Sequence, residues 1–262
     1  MHLAQYLIGV VAGTLVGFLL GLVGGGGSIL AVPLMVYAVG VRDPHLAVGT
    51  SALAVAANAA LNALHHARSG TVRWRIAAVF ATAGIVGAWL ASLAGKAIAG
   101  DRLLVCFALL MLVVGFFMLR GGAQGAASKR IASEEPHAAR LVAVGALTGA
   151  LSGFFGIGGG FLIVPGLMYA ARLPILEAVG SSLVAVTAFS LTTALSYARS
   201  GWVEWPLAGV FACGGALGGA AGALLARRLG AHRSALRVLF GVLIFLVAFY
   251  MLYRSALAFG LV

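Results

Sequence analysis

Acidic side chains are scarce in this chain: six Asp and Glu stand among 262 residues, and charged residues of both signs amount to 9%. Asp43, Asp101, Glu134, Glu135, Glu177 and Glu204 all fall in expected loops or at helix starts. With no carboxylate inside an apolar run, an Asp/Glu proton relay, a carboxylate cation site and a paired-acid hydrolase all lack their parts. Cysteine is scarcer still. Cys106 and Cys213 lie in different apolar runs with no CxxC or Cys/His spacing. That excludes a metal or redox pair and predicts two buried small hydrophobes. The first five residues, Met1 to Gln5, carry no basic stretch ahead of the apolar run, so a retained first segment is expected instead of a cleaved leader.

What remains is apolar. Hydrophobic residues make up 62% of the chain and the mean hydropathy is +1.10, whereas a soluble domain carries roughly 25% charged residues. Runs without charge fill 1–41, 44–67, 76–95, 103–119, 141–171, 178–198, 205–226 and 238–253. Most reach the length of about 17 residues or more at which a helix crosses a bilayer. A soluble enzyme, a disordered chain and a separate extramembrane domain are excluded, as is a porin, whose strands alternate in polarity. The net charge of +11 is no nucleic-acid signature, because the seventeen Lys and Arg fall almost entirely between the apolar runs. They read as topology signals.

The chain repeats itself. Gly13-x-x-x-Gly17-x-x-x-Gly21, followed by Gly24-Gly25-Gly26-Gly27-Ser28 and Pro33, aligns with Gly145-x-x-x-Gly149-x-x-x-Gly153, followed by Gly156-Ile157-Gly158-Gly159-Gly160 and Pro165. Downstream, Gly49-Thr50-Ser51 matches Gly180-Ser181-Ser182, and Ala67-Arg68-Ser69-Gly70 matches Ala198-Arg199-Ser200-Gly201. Apolar helices resemble one another by chance, but chance does not reproduce a glycine cluster, a proline and a loop in one order. Two transmembrane repeats, 1–120 and 139–262, are therefore expected, joined by a linker at 121–138 rich in Gly, Ala, Ser and charge.

The glycine clusters should break their helices, since each Gly costs about 1 kcal/mol against Ala in a helix interior. Within a membrane, such a break survives only when buried in protein or lining a watery cavity. The N–H groups opening the next helix then face inward, which makes an anion site near Ser28 and Gly160. A phosphate loop and a dinucleotide fingerprint both fail, for want of a following Lys and of a strand-turn-helix context. The four-residue glycine spacings at Gly9 to Gly21, Gly145 to Gly153 and Gly214 to Gly222 read separately, as faces for close helix packing.

Charge counting selects the topology. If 1–41 is one span, nine cations lie on one side and eight on the other, which is no bias. If each glycine cluster turns a helical hairpin, crossing fully or dipping and returning, each half crosses an odd number of times and the second is inverted. Twelve cations then share one side, leaving Arg42, Lys96, Arg102, Arg199 and Arg254 on the other. The positive-inside rule selects the hairpin model, with the N-terminus outside and the linker cytoplasmic. The expected fold is an all-α polytopic membrane protein of two inverted repeats, with about eight full spans plus glycine-broken hairpin helices, eight to ten crossings in all.

Polar residues within the runs complete the candidate site. Ser51, Asn58, Asn62 and His65 share one helix face after the Asp43-Pro44 cap, and the second repeat offers Ser182, Phe189, Thr193 and Ser196 there. Asn58 and Asn62 line a pathway or bond between helices. Glu177, beyond Pro174, reads as a structural charge in a first helical turn.

The stretches Gly21 to Pro33 and Gly153 to Pro165, with Gly49-Thr50-Ser51 and Gly180-Ser181-Ser182, resemble the TauE/SafE sulfite exporter family of membrane permeases over essentially the whole chain. The resemblance implies a secondary transporter, not an enzyme, that moves sulfite, a sulfonate or a related small organosulfur anion across the cytoplasmic membrane. An anion channel, or a permease for a non-sulfur organic anion, is the alternative. The substrate-binding candidates are Gly24, Gly25, Gly26, Gly27, Ser28, Thr50, Ser51, Asn58, Asn62, Gly156, Gly158, Gly159, Gly160, Ser181 and Ser182. The implied partners are a small anion and the lipid bilayer; proton coupling and oligomerisation are both compatible. No cofactor, metal or nucleic acid is implied.

Overall fold

A computed structural model describes residues 3–23, 25–120, 138–228 and 233–258, and the regular structure among them is helical throughout. In the first repeat α1 is Leu3–Val23. Next comes α2, a composite of a 3-10 segment Gly25–Leu30, one α-turn Ala31–Pro33 and a π segment Leu34–Ala38. Then follow α3 Pro44–Arg68, α4 Trp74–Ala97 and α5 Gly100–Arg120. The second repeat holds α6 Ala138–Phe155, α7 Gly160–Ala170, α8 Ile175–Ala198, α9 Trp205–Arg228 and α10 Arg233–Ala258. Eight of these ten helices have 18 to 26 residues, and six of the eight carry a stretch long and apolar enough to cross a membrane. Gly24 and the linker up to residue 137 lie outside the described residues.

Local chemistry sets the boundaries. The Asp43 carboxylate accepts the His45 N–H at 2.8 Å and Pro44 takes the first helical position, so α3 starts where the sequence places its cap. Pro33 lacks an N–H to continue the α ladder, and the backbone widens into the π segment directly after it. Trp74 and Trp205 occupy equivalent positions at the starts of α4 and α9, and both are largely exposed. Such placement suits the two membrane interfaces.

The path of the chain shows that the repeats are inverted. Gly27 backs onto Leu19 and Leu20 of α1, and a side chain on Gly40 would lie 4.0 Å from the Gln5 amide nitrogen. So α2 returns alongside α1 to the face from which the chain set out. Gly17 abuts Gly215 and Gly21 abuts Gly219, which makes α1 and α9 parallel. Asn58 meets Gly215 and Asn62 meets Gly219, which makes α3 parallel to both. The short 69–73 loop then reverses α4. On the other flank Gly84 abuts Gly149 and Ala88 abuts Gly153, so α6 runs with α4 and against α1.

Adding five to each helix number reproduces the packing. The α1/α9 seam is matched by α6/α4 and the α3/α9 contact by α8/α4, while α3/α8, α5/α10 and α2/α7 pair each helix with its own counterpart. At the centre α3 and α8 are the most buried spans, and the others ring them. Leu7, Val86, Leu147, Leu217 and Leu246 point outward from the ring, as side chains facing lipid do.

One expectation is overturned. Cys106 and Cys213 are exposed on the outer faces of α5 and α9 instead of buried. A thiol is apolar enough to face hydrocarbon, so an apolar run does not separate a core position from a lipid-facing one.

Candidate functional site

The second glycine turn is built from the end of α6. The Gly156 N–H donates back to the Ser152 carbonyl at 2.8 Å, and the chain then leaves the helix with positive φ at Gly156, Gly158 and Gly159 (+71°, +69° and +61°). Only glycine adopts that left-handed backbone freely. The Gly159 carbonyl receives the N–H groups of Leu162 at 2.9 Å and Ile163 at 3.0 Å, which starts α7. No side chain caps this helix start, so its first N–H groups stay turned toward whatever lies in front of them.

The turn lies within the protein, not at its surface. Val48 of α3 packs on Gly156, while Val55 of α3 and both Val186 and Ser190 of α8 pack on Gly158. With 11 residues, α7 spans about 16 Å, roughly half of the ~30 Å hydrocarbon core. It is a half-helix whose start is held against the crossing of α3 and α8.

The first glycine turn has the same motif and a different backbone. Gly25–Leu30 is a right-handed 3-10 segment in which Gly26, Gly27 and Ser28 are buried, Ser28 fully. Ile157, also fully buried, stands where the first copy has Gly25, so the second turn carries a core side chain the first lacks. The first turn packs against the helix that follows the second: the 3-10 segment is the main part of α2 in contact with α7.

The hydroxyls of α3 and α8 divide their work symmetrically. Ser51 donates to the Val48 carbonyl and Ser182 to the Val179 carbonyl, each one turn back. Thr50 accepts the Glu204 N–H at 3.0 Å, and Ser181 accepts the Arg73 N–H at 3.0 Å. Because α3 and α8 are antiparallel, these two bonds lie at opposite ends of the pair, and Thr50 and Ser181 do not converge. Each instead secures the backbone just ahead of the next span.

Asn58 and Asn62 sit where α1, α3 and α9 meet. The Asn62 amide donates to the Asn58 carbonyl at 2.9 Å. The Asn58 side chain is 1% exposed, and neither of its amide atoms has a partner. Its counterpart Phe189 fills the equivalent notch beside Gly84 and stacks on Phe80. A polar amide thus replaces a phenyl ring in one copy of the same notch. His65 is exposed at the end of α3, and the His66 ring bonds with the Thr71 hydroxyl at 2.9 Å.

Charge is confined to the faces. Among the described residues every Lys, Arg, His, Asp and Glu lies in a loop or close to a helix end. Glu177 takes the structural role expected of it, gripping Arg73 with both oxygens at 2.6 and 2.7 Å and raising the guanidinium pKa above its ordinary value through that hydrogen bond. The centre therefore offers hydroxyls, amides and backbone N–H groups as its polar equipment.

Two further residues at this turn carry no signal in the sequence. Ser152, one turn before the second glycine cluster, and Ser190, in the middle of α8, are both fully buried, and neither hydroxyl has a partner. A lone serine in an apolar helix carries no distinguishing spacing, and only the fold brings this pair to one turn.

Residues 9–251 match the family model described as sulfite exporter TauE/SafE. A "Probable membrane transporter protein" of Xylella fastidiosa strain 9a5c is 50% identical over 97% of this chain and 98% of its own length. A Bacillus subtilis protein, "Probable membrane transporter protein YunE", is 29% identical over 85% of this chain and 88% of its own. One of Methanocaldococcus jannaschii, also named a probable membrane transporter, is 28% identical over 78% and 79%. No solved structure matches the chain.

Proposed function

The chain belongs to the TauE/SafE family of membrane transporters, and on that premise we propose that it is a secondary carrier of sulfite, a sulfonate or a related organosulfur anion across the cytoplasmic membrane. The observation that carries this reading is the packing of the first glycine turn against the half-helix that follows the second. The 3-10 segment that opens α2, with its buried Ser28, packs against the half-helix α7, whose start is uncapped. Half-helix N-termini held at depth are anion sites, because the dipole and open N–H groups favour negative charge without a buried cation.

In this reading the backbone of Gly25 to Gly27 and of Gly156 to Gly160, with Ser28, forms the site. Asn58 and Asn62 line its approach from α3, while Thr50 with Ser51 and Ser181 with Ser182 border the entrances at the two faces. The inverted repeats exchange access by rocking about the α3/α8 crossing. Twelve of the seventeen cations fall on the face of the linker, and by the positive-inside rule this supports a cytoplasmic linker. An anion channel would use the same site without the access cycle.

Counterflow separates the two. Radiolabelled sulfite enters proteoliposomes loaded with unlabelled sulfite, with sulfonates and sulfate as competitors, with and without a pH gradient. Saturable counterflow is expected, and a response to the gradient would add proton coupling. Flux that rises linearly with concentration and shows no counterflow would favour the channel. No flux with any of these anions would remove the proposed substrate class.

A further inference from the structure

Ser152 and Ser190 arrive at the second glycine turn from different helices. A Cβ on Gly158 would collide with Ser190 Oγ, and one on Gly159 would stand 2.8 Å from Ser152 Cβ and 3.3 Å from its Oγ. Both hydroxyls are fully buried and unpartnered. Leaving such a group unsatisfied is costly, and the first repeat shows that the architecture does not need it. Leu20 stands there in the place of Ser152 and Ala59 in the place of Ser190, within the same packing. Two orphan hydroxyls that the fold can do without, converging on an uncapped helix start, mark a ligand.

We propose that Ser152 and Ser190, together with the backbone N–H groups opening α7, grip the head group of a singly charged oxyanion. This rests on the transport reading above and assigns the head-group contacts within it. Hydroxyls donate to the charged oxygens of such an anion and also accept from a protonated one. The preference for one charge follows from the surroundings. No cationic side chain among the described residues lies at this depth to offset a second charge, and burial of unpaired charge is heavily penalised. The site is asymmetric between the repeats, with its hydroxyl pair in the second only.

The test uses the full chain in nanodiscs, with methanesulfonate as the single-charge probe and inorganic sulfate as the double-charge probe, read by thermal shift and by counterflow. Methanesulfonate is expected to raise the wild-type melting temperature and sulfate to have little effect. Ser152→Ala and Ser190→Ala should each raise the half-saturating methanesulfonate concentration by about tenfold or more, while the ligand-free melting temperature holds or rises because a buried orphan hydroxyl is gone. Ser92→Ala is the control: its hydroxyl is already bonded to Ser196 at 2.7 Å, so it should melt lower with unchanged affinity. Unchanged methanesulfonate affinity in both alanine variants overturns the assignment, as does a ligand-free melting loss like that of Ser92→Ala. Sulfate binding as tightly as methanesulfonate overturns the single-charge preference. A wild type that responds to neither probe and shows no counterflow overturns the anion reading itself.

Discussion

The backbone N–H of Arg73 donates to the hydroxyl of Ser181 across 108 residues of chain. The same bond recurs 131 residues later, where Glu204 N–H donates to Thr50. Each hydroxyl ties the loop after one central helix to the first turns of the other. Ser181→Ala and Thr50→Val should each cost about 1–3 kcal/mol, because each leaves a backbone N–H without its acceptor. Unfolding of each variant in detergent checks this, with Ser181→Thr expected to retain most of the stability. Equal losses at the two sites would show the symmetry energetically.

The glycine seams make a sharper prediction. A methyl at Gly17 would collide with the Gly215 carbonyl, whereas one at Gly209 meets nothing within 4 Å. Gly17→Ala should therefore sharply lower the folded yield, at or above the 1–3 kcal/mol typical of overpacking. Gly209→Ala should match wild type on size-exclusion chromatography. If both behave alike, α1 and α9 are not in backbone contact.

Asn58 tests stability against function. Its amide is buried without partners in a notch whose equivalent holds Phe189, so Asn58→Leu should leave the melting temperature equal or higher. Substrate flux should fall in the same variant if this amide serves the pathway. A drop of several degrees would instead make Asn58 a packing residue.

Topology is checked by a symmetric pair. Ser69 and Ser200 are equivalent, exposed residues at the ends of α3 and α8. In a background with Cys106→Ala and Cys213→Ala, a cysteine at 69 should react with a membrane-impermeant maleimide only after permeabilisation, and one at 200 in intact cells. The reverse pattern would invert the assignment of the cytoplasmic face.

Much of this architecture is legible in the sequence, because its signals are periodic or repeated. The glycine motif reports the break, the repeat reports the symmetry, and the placement of Arg42, Lys96 and Arg199 against the other cations reports the odd number of crossings. The Asp43-Pro44 start of α3 follows from side-chain chemistry alone. What the sequence hides depends on partners distant in the chain. The backbone N–H groups that Thr50 and Ser181 each accept from the other repeat leave no mark in the sequence. Ser152 and Ser190 read as ordinary helix serines until α6 and α8 bring them to one turn. The outward orientation of Cys106 and Cys213 was concealed because lipid and protein core select the same apolar residues.

The two tightest seams, α1 with α9 and α4 with α6, each join helices from different repeats. The halves are thus interlaced like the arms of a swapped dimer, and neither carries a complete body of its own. Severed at the linker, each half would present bare glycine faces that only the other can cover. Transcribed as two separate chains, they should assemble only when made together.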